Sequence, residues 1–201
     1  MTPDLTRLSG APLIAVGASA GGPTALAVLL RGLHAGFPAA VAIVQHLDQR
    51  FVQGLADWLG QRSPLPVRLA ADGDEPRGGT VFVAGATGHL VLRPDGRFGY
   101  VGAAPEQAYC PSIDVFFHSV CKYGGAGSAG VLLTGMGADG VQGLKAMRCK
   151  GRLTIAQDQG TSAVYGMPKA AAAADAASEI LPLDHIAPRL LAAFPARPTG
   201  T

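Results

Sequence analysis

The chain has 201 residues, of which 48% are hydrophobic and 15% charged, and its formal net charge is +2. This length suits one mid-sized domain, and the apolar content argues against a disordered chain. No block of Lys and Arg is present and aromatic residues make up only 6%, so we expect no nucleic-acid-binding surface.

The three cysteines are Cys110, Cys121 and Cys149, which lack the CxxC spacing of a zinc site and leave one thiol over in any disulfide set. We expect them to be reduced thiols of an intracellular protein. Residues 1–10 contain no long apolar segment of a secretory signal, and no apolar run reaches the roughly 20 residues of a membrane span. The sequence therefore predicts a cytoplasmic protein without membrane insertion.

The first half of the chain alternates short apolar runs with helical patterns. Leu13–Val16 predicts a buried strand, and after a glycine turn Pro23 begins an apolar helical stretch to Leu33. The next predicted elements are strand Ala39–Val44, a helix from Phe51 to about Leu59, and strands Val67–Ala70 and Thr80–Val83. His89–Leu92 and Phe98–Val101 flank a Pro-Asp-Gly turn and predict an antiparallel hairpin.

The second half continues the alternation. Its predicted elements are helix Ser112–Tyr123, strand Val131–Leu133, helix Asp139–Lys150, strand Leu153–Ala156, and helices Met167–Ala174 and Ile186–Phe194. The predicted fold class is therefore α/β, a doubly wound, mostly parallel sheet with helices on both faces and one antiparallel hairpin. We expect one domain over residues 12–195, an N-terminal tail over 1–11 and a C-terminal tail over 196–201.

Ser19 is the first candidate for chemistry. Gly17-Ala18-Ser19-Ala20-Gly21 matches the G-x-S-x-G elbow and lies between a predicted strand and a predicted helix. Small neighbours leave room for an incoming carbonyl, and the helix N-terminus supplies free N–H groups for a developing oxyanion. A glycine turn that binds phosphate is the alternative, although the dinucleotide and Walker patterns both fail here.

A reactive serine needs a base, and the candidates are His34, His46, His89, His118 and His185. His46 follows the second predicted strand and therefore lies at the same sheet edge as Ser19. His34 follows a helix at the opposite edge, and His118 is expected to be structural. His89 begins the hairpin and His185 falls in a late loop. Position favours His46.

The base needs an orienting acid, and Asp139 follows a strand and a glycine-rich turn at the same edge. Its alternative role is the N-cap of the helix that it begins. Asp48 need not face the imidazole ring, and Asp114 suits a helix dipole. The glycines around Met136 indicate close backbone approach, so its N–H is the group of interest, while its side chain suits a core.

Several segments together resemble the catalytic domain of the CheB-type protein-glutamate methylesterases of bacterial chemotaxis. The resemblance spans about residues 12–193 and is carried by Ile14–Pro23, Val44–Leu47, Pro111–Ser119, Leu133–Gly140, Ala156–Asp158 and Tyr165–Pro168. The serine elbow alone is not specific, but these segments in this order are.

The resemblance implies roles for individual residues. It implies Ser19 as nucleophile, His46 as general base and Asp139 as orienting acid, with the backbone N–H of Met136 in an oxyanion hole, to which we add an N–H near Ala20. It implies hydrolysis of glutamate γ-methyl esters on the cytoplasmic helices of a methyl-accepting chemotaxis receptor, and deamidation of receptor glutamines. No metal or organic cofactor is implied.

Two departures from the family pattern affect these expectations. No receiver domain fits before the first strand, so we expect either a stand-alone esterase, to which a separate response regulator is a candidate partner, or a fragment. Cys110 stands where family members usually have Arg, which bears on receptor choice and on activity. The rival hypotheses are a serine hydrolase of different specificity, a non-catalytic signalling module and a nucleotide-binding module.

Overall fold

The structure is a computed structural model, and it describes residues 11–85, 87–103 and 109–195. The predicted tails lie outside these residues, apart from Ala11. The elements in chain order are β1 (Leu13–Ala18), α1 (Gly22–Arg31), β2 (Ala40–Gln45), α2 (Gln49–Gly60), β3 (Val67–Ala70), β4 (Val81–Ala84), β5 (His89–Leu92), β6 (Phe98–Val101), α3 (Ile113–Tyr123), β7 (Ala129–Leu132), α4 (Val141–Cys149), β8 (Thr154–Gln157), α5 (Met167–Ala173), β9 (Glu179–Leu181) and α6 (Leu183–Ala193).

Within the described residues, a seven-stranded sheet has the order β3-β4-β2-β1-β7-β8-β9, and every pair in it is parallel. The central strands β1 and β2 are buried along their whole length, as expected of parallel strands covered on both faces. β5 and β6 form a separate antiparallel hairpin in which Leu92 pairs with Phe98. The predicted fold class is confirmed.

Two apolar cores lie on opposite faces of the sheet. One contains Leu26 and Leu30 of α1, Leu59 of α2 and Ile186 of α6. The other contains Phe116 and Phe117 of α3, Met147 of α4, Met167 of α5 and Leu90 of the hairpin. Side chains of β1 alternate between the two cores, because successive residues of a strand point to opposite faces.

Some predicted boundaries are wrong. The helix predicted from Asp139 begins at Val141, because Gly140 has a left-handed conformation (φ 90°) and serves as its N-cap. β9 was not predicted, since its three residues show no apolar run and lie partly exposed at the sheet edge. His185, predicted in a loop, lies in the first turn of α6, which begins directly after Pro182.

The strand order reverses direction between β1 and β7. The chain builds outwards from β1 through β2 and later continues on the other side of β1 with β7. In doubly wound sheets, such a switch point opens a crevice beyond the carboxyl ends of the strands, where ligands bind. The loops after β1, β2 and β7 meet at this crevice. No helix within the described residues is both long and apolar enough for a membrane crossing.

Candidate active site

Ser19 lies on the tight connection between β1 and α1. Its backbone N–H donates to Thr134 O at 3.0 Å, and its carbonyl accepts from Gly22 N at 2.7 Å. Gly21, the N-cap of α1, has a φ of 78°, a conformation that glycine adopts without strain. The serine is half-buried. It therefore occupies the sharp strand-to-helix turn that the G-x-S-x-G pattern predicts.

His46 lies beside Ser19 because β2 is the parallel neighbour of β1. The strand register pairs Ala18 with Gln45, so the next residue of each strand emerges at the same edge. His46 N donates to Ala18 O at 3.0 Å and extends this pairing beyond the strand ends. Within the described residues, no hydrogen bond joins Ser19 Oγ to the imidazole, so their adjacency follows from strand register and from bonds to the main chain rather than from a direct bond between the side chains.

Asp139 reaches His46 from the loop after β7. The distance from His46 Nε2 to Asp139 Oδ2 is 2.8 Å, and the exposed fractions of the two side chains are 14% and 3%. A carboxylate only accepts, so Nε2 carries the hydrogen and Nδ1 keeps a lone pair. The unprotonated nitrogen of the ring is therefore the one that remains for a substrate or for Ser19.

The same carboxylate also binds the N-terminus of α3. Oδ2 accepts from Ile113 N at 2.7 Å, and Oδ1 accepts from Asp114 N at 3.0 Å and from Ser112 Oγ at 2.9 Å. Helix N-termini leave N–H groups without intrahelical partners. The alternative role of Asp139 as N-cap of α4 is thus wrong, although its Oδ1 also accepts from Gly140 N at 3.0 Å.

These contacts determine the charge of Asp139. Burial alone would raise the pKa of its carboxyl group. The hydrogen bonds from His46 and from the N-terminus of α3 outweigh burial and hold the pKa below its usual value. Asp139 is therefore ionised at neutral pH and stabilises a positive charge on the neighbouring imidazole.

The two candidate oxyanion donors are the N–H groups of Met136 and Ala20. Gly135 O accepts from Gly166 N and Met167 N at 3.0 and 2.8 Å, so the Met136 N–H, on the opposite side of the same trans peptide, points away from α5. Neither N–H donates to an acceptor among the described residues. The Met136 side chain is not in a core, since it is 69% exposed.

Gly135 lies directly against Ser19. A Cβ added at this position would come within 2.7 Å of Ser19 Cβ and 2.5 Å of Met167 Sδ. Contacts this short do not occur between real side chains, so any larger residue would displace Ser19 or Met167. The glycine expected from close backbone approach therefore has a steric cause.

Thr134 connects the loop after β7 to the loop of Ser19, and sequence patterns did not single it out. Its Oγ1 donates to Ala20 O at 2.9 Å and accepts from Val164 N at 2.9 Å. Its backbone N–H donates to Gln157 Oε1 at 2.8 Å. Its sequence signals are its position two residues after the end of β7 and its place in the Leu133–Gly140 segment, and neither indicates a bonding role.

Tyr109 covers the imidazole and was also missed. The centroids of the Tyr109 and His46 rings lie 4.8 Å apart, with an angle of 6° between the ring planes. Its neighbour Cys110 is exposed and lines a cleft of about 70 Å³ together with Leu47 and Gln49. Cys110, where the resemblance leads us to expect Arg, therefore borders the candidate site.

The other histidines lie elsewhere. His34 and His118 are exposed, and His185 is in α6. His89 is buried, and its Nδ1 accepts from Ser112 N at 2.9 Å. Among the described residues, no group of three or more His, Cys, Asp or Glu side chains is arranged to hold a metal ion.

Comparisons with known proteins give one family. The family model described as CheB methylesterase matches residues 14–190. Protein-glutamate methylesterase/protein-glutamine glutaminase 2 of Pseudomonas syringae pv. syringae is 59% identical over 182 residues, which are 90% of this chain and 54% of that protein. The corresponding protein 3 of Burkholderia orbicola is 61% identical over 180 residues, 90% of this chain and 53% of that protein.

The fold agrees with these matches. The CheB methylesterase catalytic domain of Thermotoga maritima superimposes with a TM-score of 0.86 at 32% identity, over 92% of this chain and 98% of that one. The chain spans about half the length of the curated relatives it matches. On the family match, the identity to these relatives and the shared fold, the chain belongs to the CheB methylesterase family.

Proposed function

We propose that this chain is a serine esterase that hydrolyses glutamate γ-methyl esters on the cytoplasmic helices of a chemoreceptor, with receptor glutamine deamidation as a second activity. The observation that carries the proposal is the 2.8 Å contact between His46 and a buried, ionised Asp139, adjacent to a serine on a strand-to-helix turn. The names of the curated relatives, protein-glutamate methylesterase/protein-glutamine glutaminase, support the substrate.

In the first half-reaction, Ser19 Oγ attacks the ester carbonyl and His46 Nδ1 takes its proton. Asp139 accepts from Nε2 and stabilises the imidazolium that forms. The tetrahedral intermediate collapses, the bond to the methoxy oxygen breaks, and His46 returns the proton to release methanol. The product is an acyl-enzyme that joins Ser19 to the receptor glutamate.

In the second half-reaction, water replaces the alcohol. His46 takes a proton from the water, the hydroxide attacks the acyl carbon, and the proton returns to Ser19 Oγ as the glutamate leaves. The N–H groups of Met136 and Ala20 bind the oxyanion in both halves. One such donor contributes about 3 kcal/mol to transition-state stabilisation.

The proposal also covers the partners of the enzyme, its cellular location and the bounds of its catalytic domain. The receptor is the protein substrate, and a separate response regulator is a proposed regulator. We propose that the enzyme acts in the cytoplasm, where the methylated helices lie, needs no metal or organic cofactor, and has its catalytic domain over residues 12–195. The free thiols of Cys110, Cys121 and Cys149 agree with a reducing compartment.

The direct test is Ser19→Ala, measured by methanol release from methylated receptor. We expect release to be abolished while far-UV circular dichroism stays unchanged, because the substitution removes only the Oγ atom. Cys110→Ala is the matched control, since it removes an exposed thiol next to Tyr109, which stacks on His46, and it should retain release. Near-normal release by Ser19→Ala would refute the assignment of the nucleophile.

A serine hydrolase of different specificity, or a non-catalytic signalling module, is the second candidate. The exposed Cys110, in place of the Arg expected of the family, is the observation that favours it. Assays on small esters and on methylated receptor helices, side by side, distinguish the two specificities. Covalent labelling of Ser19 by a fluorophosphonate would contradict the non-catalytic alternative.

A further inference from the structure

Gln45, the last residue of β2, lies between the nucleophile and the base. Its side chain is only 5% exposed, although an amide is costly to bury unless its polar atoms are bonded. We propose that Gln45 is a positioning residue, which holds the backbone of Ser19 and the backbone of His46 at a fixed separation. This inference rests on the proposed serine-hydrolase function.

The contacts of the amide nitrogen carry the argument. Gln45 Nε2 donates to Ser19 O at 2.9 Å and to His46 O at 3.0 Å. Both acceptors are carbonyl oxygens, so only the NH₂ group, and not the amide oxygen, can face them. One side chain therefore uses both of its hydrogens on the main chain of the two residues that must meet during proton transfer.

The oxygen of the Gln45 amide, by contrast, makes no hydrogen bond among the described residues. Gln45 Oε1 is buried and has no hydrogen-bond partner, which destabilises a fold. An apolar side chain of the same length would avoid that loss. A Cβ at Gly22 would overlap Oε1, so the first residue of α1 must also stay small. The residue types at Gln45 and Gly22 are thus both constrained by one amide, whose hydrogen bonds all go to the main chain of Ser19 and His46.

Pairing of β1 with β2 does not by itself hold the loops of Ser19 and His46 together beyond the ends of these strands. Register pairing of β1 with β2 ends at Ala18 and Gln45, and one more bond, from His46 N to Ala18 O, follows it. Gln45 adds a connection beyond that point. Because a displacement of 1 Å in a catalytic pair can lower the rate by about 10²-fold, a bond here acts on turnover more than on stability.

The test compares wild type with Gln45→Met, which keeps the length and removes the donor. Fluorophosphonate labelling of Ser19 measures nucleophile reactivity independently of the natural substrate. We expect the labelling rate and kcat to fall by about 10-fold or more with little change in KM. The thermal midpoint should stay within about 4 °C, because the unpartnered Oε1 is lost along with the two bonds.

The matched control is Thr154→Val, which removes the part-buried hydrogen bonds between the Thr154 hydroxyl and Ser178 at the amino end of β8. It should lower the thermal midpoint and leave labelling unchanged. Equal labelling of wild type and Gln45→Met would overturn the role of Gln45. Absence of labelling in the wild type would instead overturn the serine-hydrolase proposal, so the two failures are distinguishable.

Gln45→Glu is a second variant, useful if Gln45→Met does not fold. Its carboxylate cannot donate, whereas its protonated form can donate one hydrogen bond. We expect slow labelling at about pH 8 and partial recovery, relative to wild type at the same pH, at about pH 6. Labelling as fast as wild type at both pH values would refute the positioning role.

Discussion

Asp139 makes two kinds of contact with one carboxylate. Oδ2 bonds both His46 Nε2 and Ile113 N, and Oδ1 bonds Ser112 Oγ, Asp114 N and Gly140 N. The proposed catalytic acid is therefore also a capping group for α3. Loss of its charge should affect stability and turnover for separate reasons, and the two effects can be measured separately.

Asp139→Asn tests both roles. If Oδ1 keeps its donors, the new NH₂ group faces Ile113 N and His46, so one hydrogen bond is lost and the imidazole tautomer is wrong. We expect turnover to fall by about 10⁴-fold, as in other triads, and stability to fall by about 1–3 kcal/mol. Methanol release by the folded fraction and urea unfolding measure the two effects.

Asp184→Asn is the control for this substitution. Asp184 lies in the first turn of α6 and is exposed, so the same chemical change should remove at most about 1 kcal/mol of helix-dipole stabilisation and no activity. If Asp139→Asn lost activity only in proportion to its unfolded fraction, capping would be its sole role.

The sequence points to the proposed catalytic residues more readily than to the residues that hold their loops in place. Ser19, His46 and Asp139 can be found because each follows a strand at the carboxyl edge, and a parallel sheet brings such positions together. Gln45 and Thr134 fall within segments of the family resemblance, but the sequence does not indicate their roles, since these depend on bonds to main-chain atoms of loops distant in sequence. The stacking of Tyr109 on His46 likewise depends on the tertiary fold.

At the scale of elements, α3 and α4 approach unusually closely. A Cβ at Gly143 would come within 2.5 Å of Phe117 Cβ, so only glycine lets the helices meet here. At this junction Asp114 Oδ1 accepts from Gly143 N at 2.7 Å. Asp114, expected to interact with the dipole of its own helix, thus bonds the first turn of the neighbouring helix.

Asp114→Asn is expected to be neutral or stabilising at neutral pH. Burial, with a smaller contribution from Asp139, raises the pKa of Asp114, and asparagine can still accept from Gly143 N. Removing the partly buried charge should add about 1 kcal/mol or less to the free energy of unfolding. Urea unfolding of the variant and wild type at several pH values measures this difference.

The sign of the pH dependence follows from the raised pKa. A carboxyl group with a raised pKa in the fold contributes stability below its unfolded pKa, near 3.9, and that stability is lost as the pH rises through the folded value. The advantage of Asp114→Asn should therefore appear above that window and vanish below about pH 4. A variant less stable than wild type at pH 7 would show that the charge strengthens the bond to Gly143.

Element prediction succeeded where local patterns coincide with tertiary burial. The bounds of β3, β5 and β6 agree with prediction, and the helices around the sheet were found from apolar spacing. The start of α4 was wrong because a left-handed glycine, rather than the preceding Asp, serves as its N-cap. β9 was missed because an edge strand with partly exposed residues depends on its neighbour β8.

At the scale of the whole molecule, the proposed site and both cores share one sheet. β1, β2 and β7 carry the loops of Ser19, His46 and Asp139, and their side chains contribute to the cores on both faces. A loss of either core should therefore separate the catalytic loops. This arrangement predicts that the described residues unfold as one cooperative unit.

Trp58, the one tryptophan of the sequence, reports on the first core, against which it packs from α2. Labelling of Ser19 reports on the crevice between β1 and β7, and far-UV circular dichroism reports on all helices. In urea we expect the three signals to share one midpoint, as in a two-state transition. Labelling lost at lower urea, while Trp58 fluorescence and the helical signal persisted, would mean that the catalytic loops unfold separately. The parallel sheet would then support the loops without determining their stability, and the bonds from Gln45 and Thr134 would be the interactions that fail first.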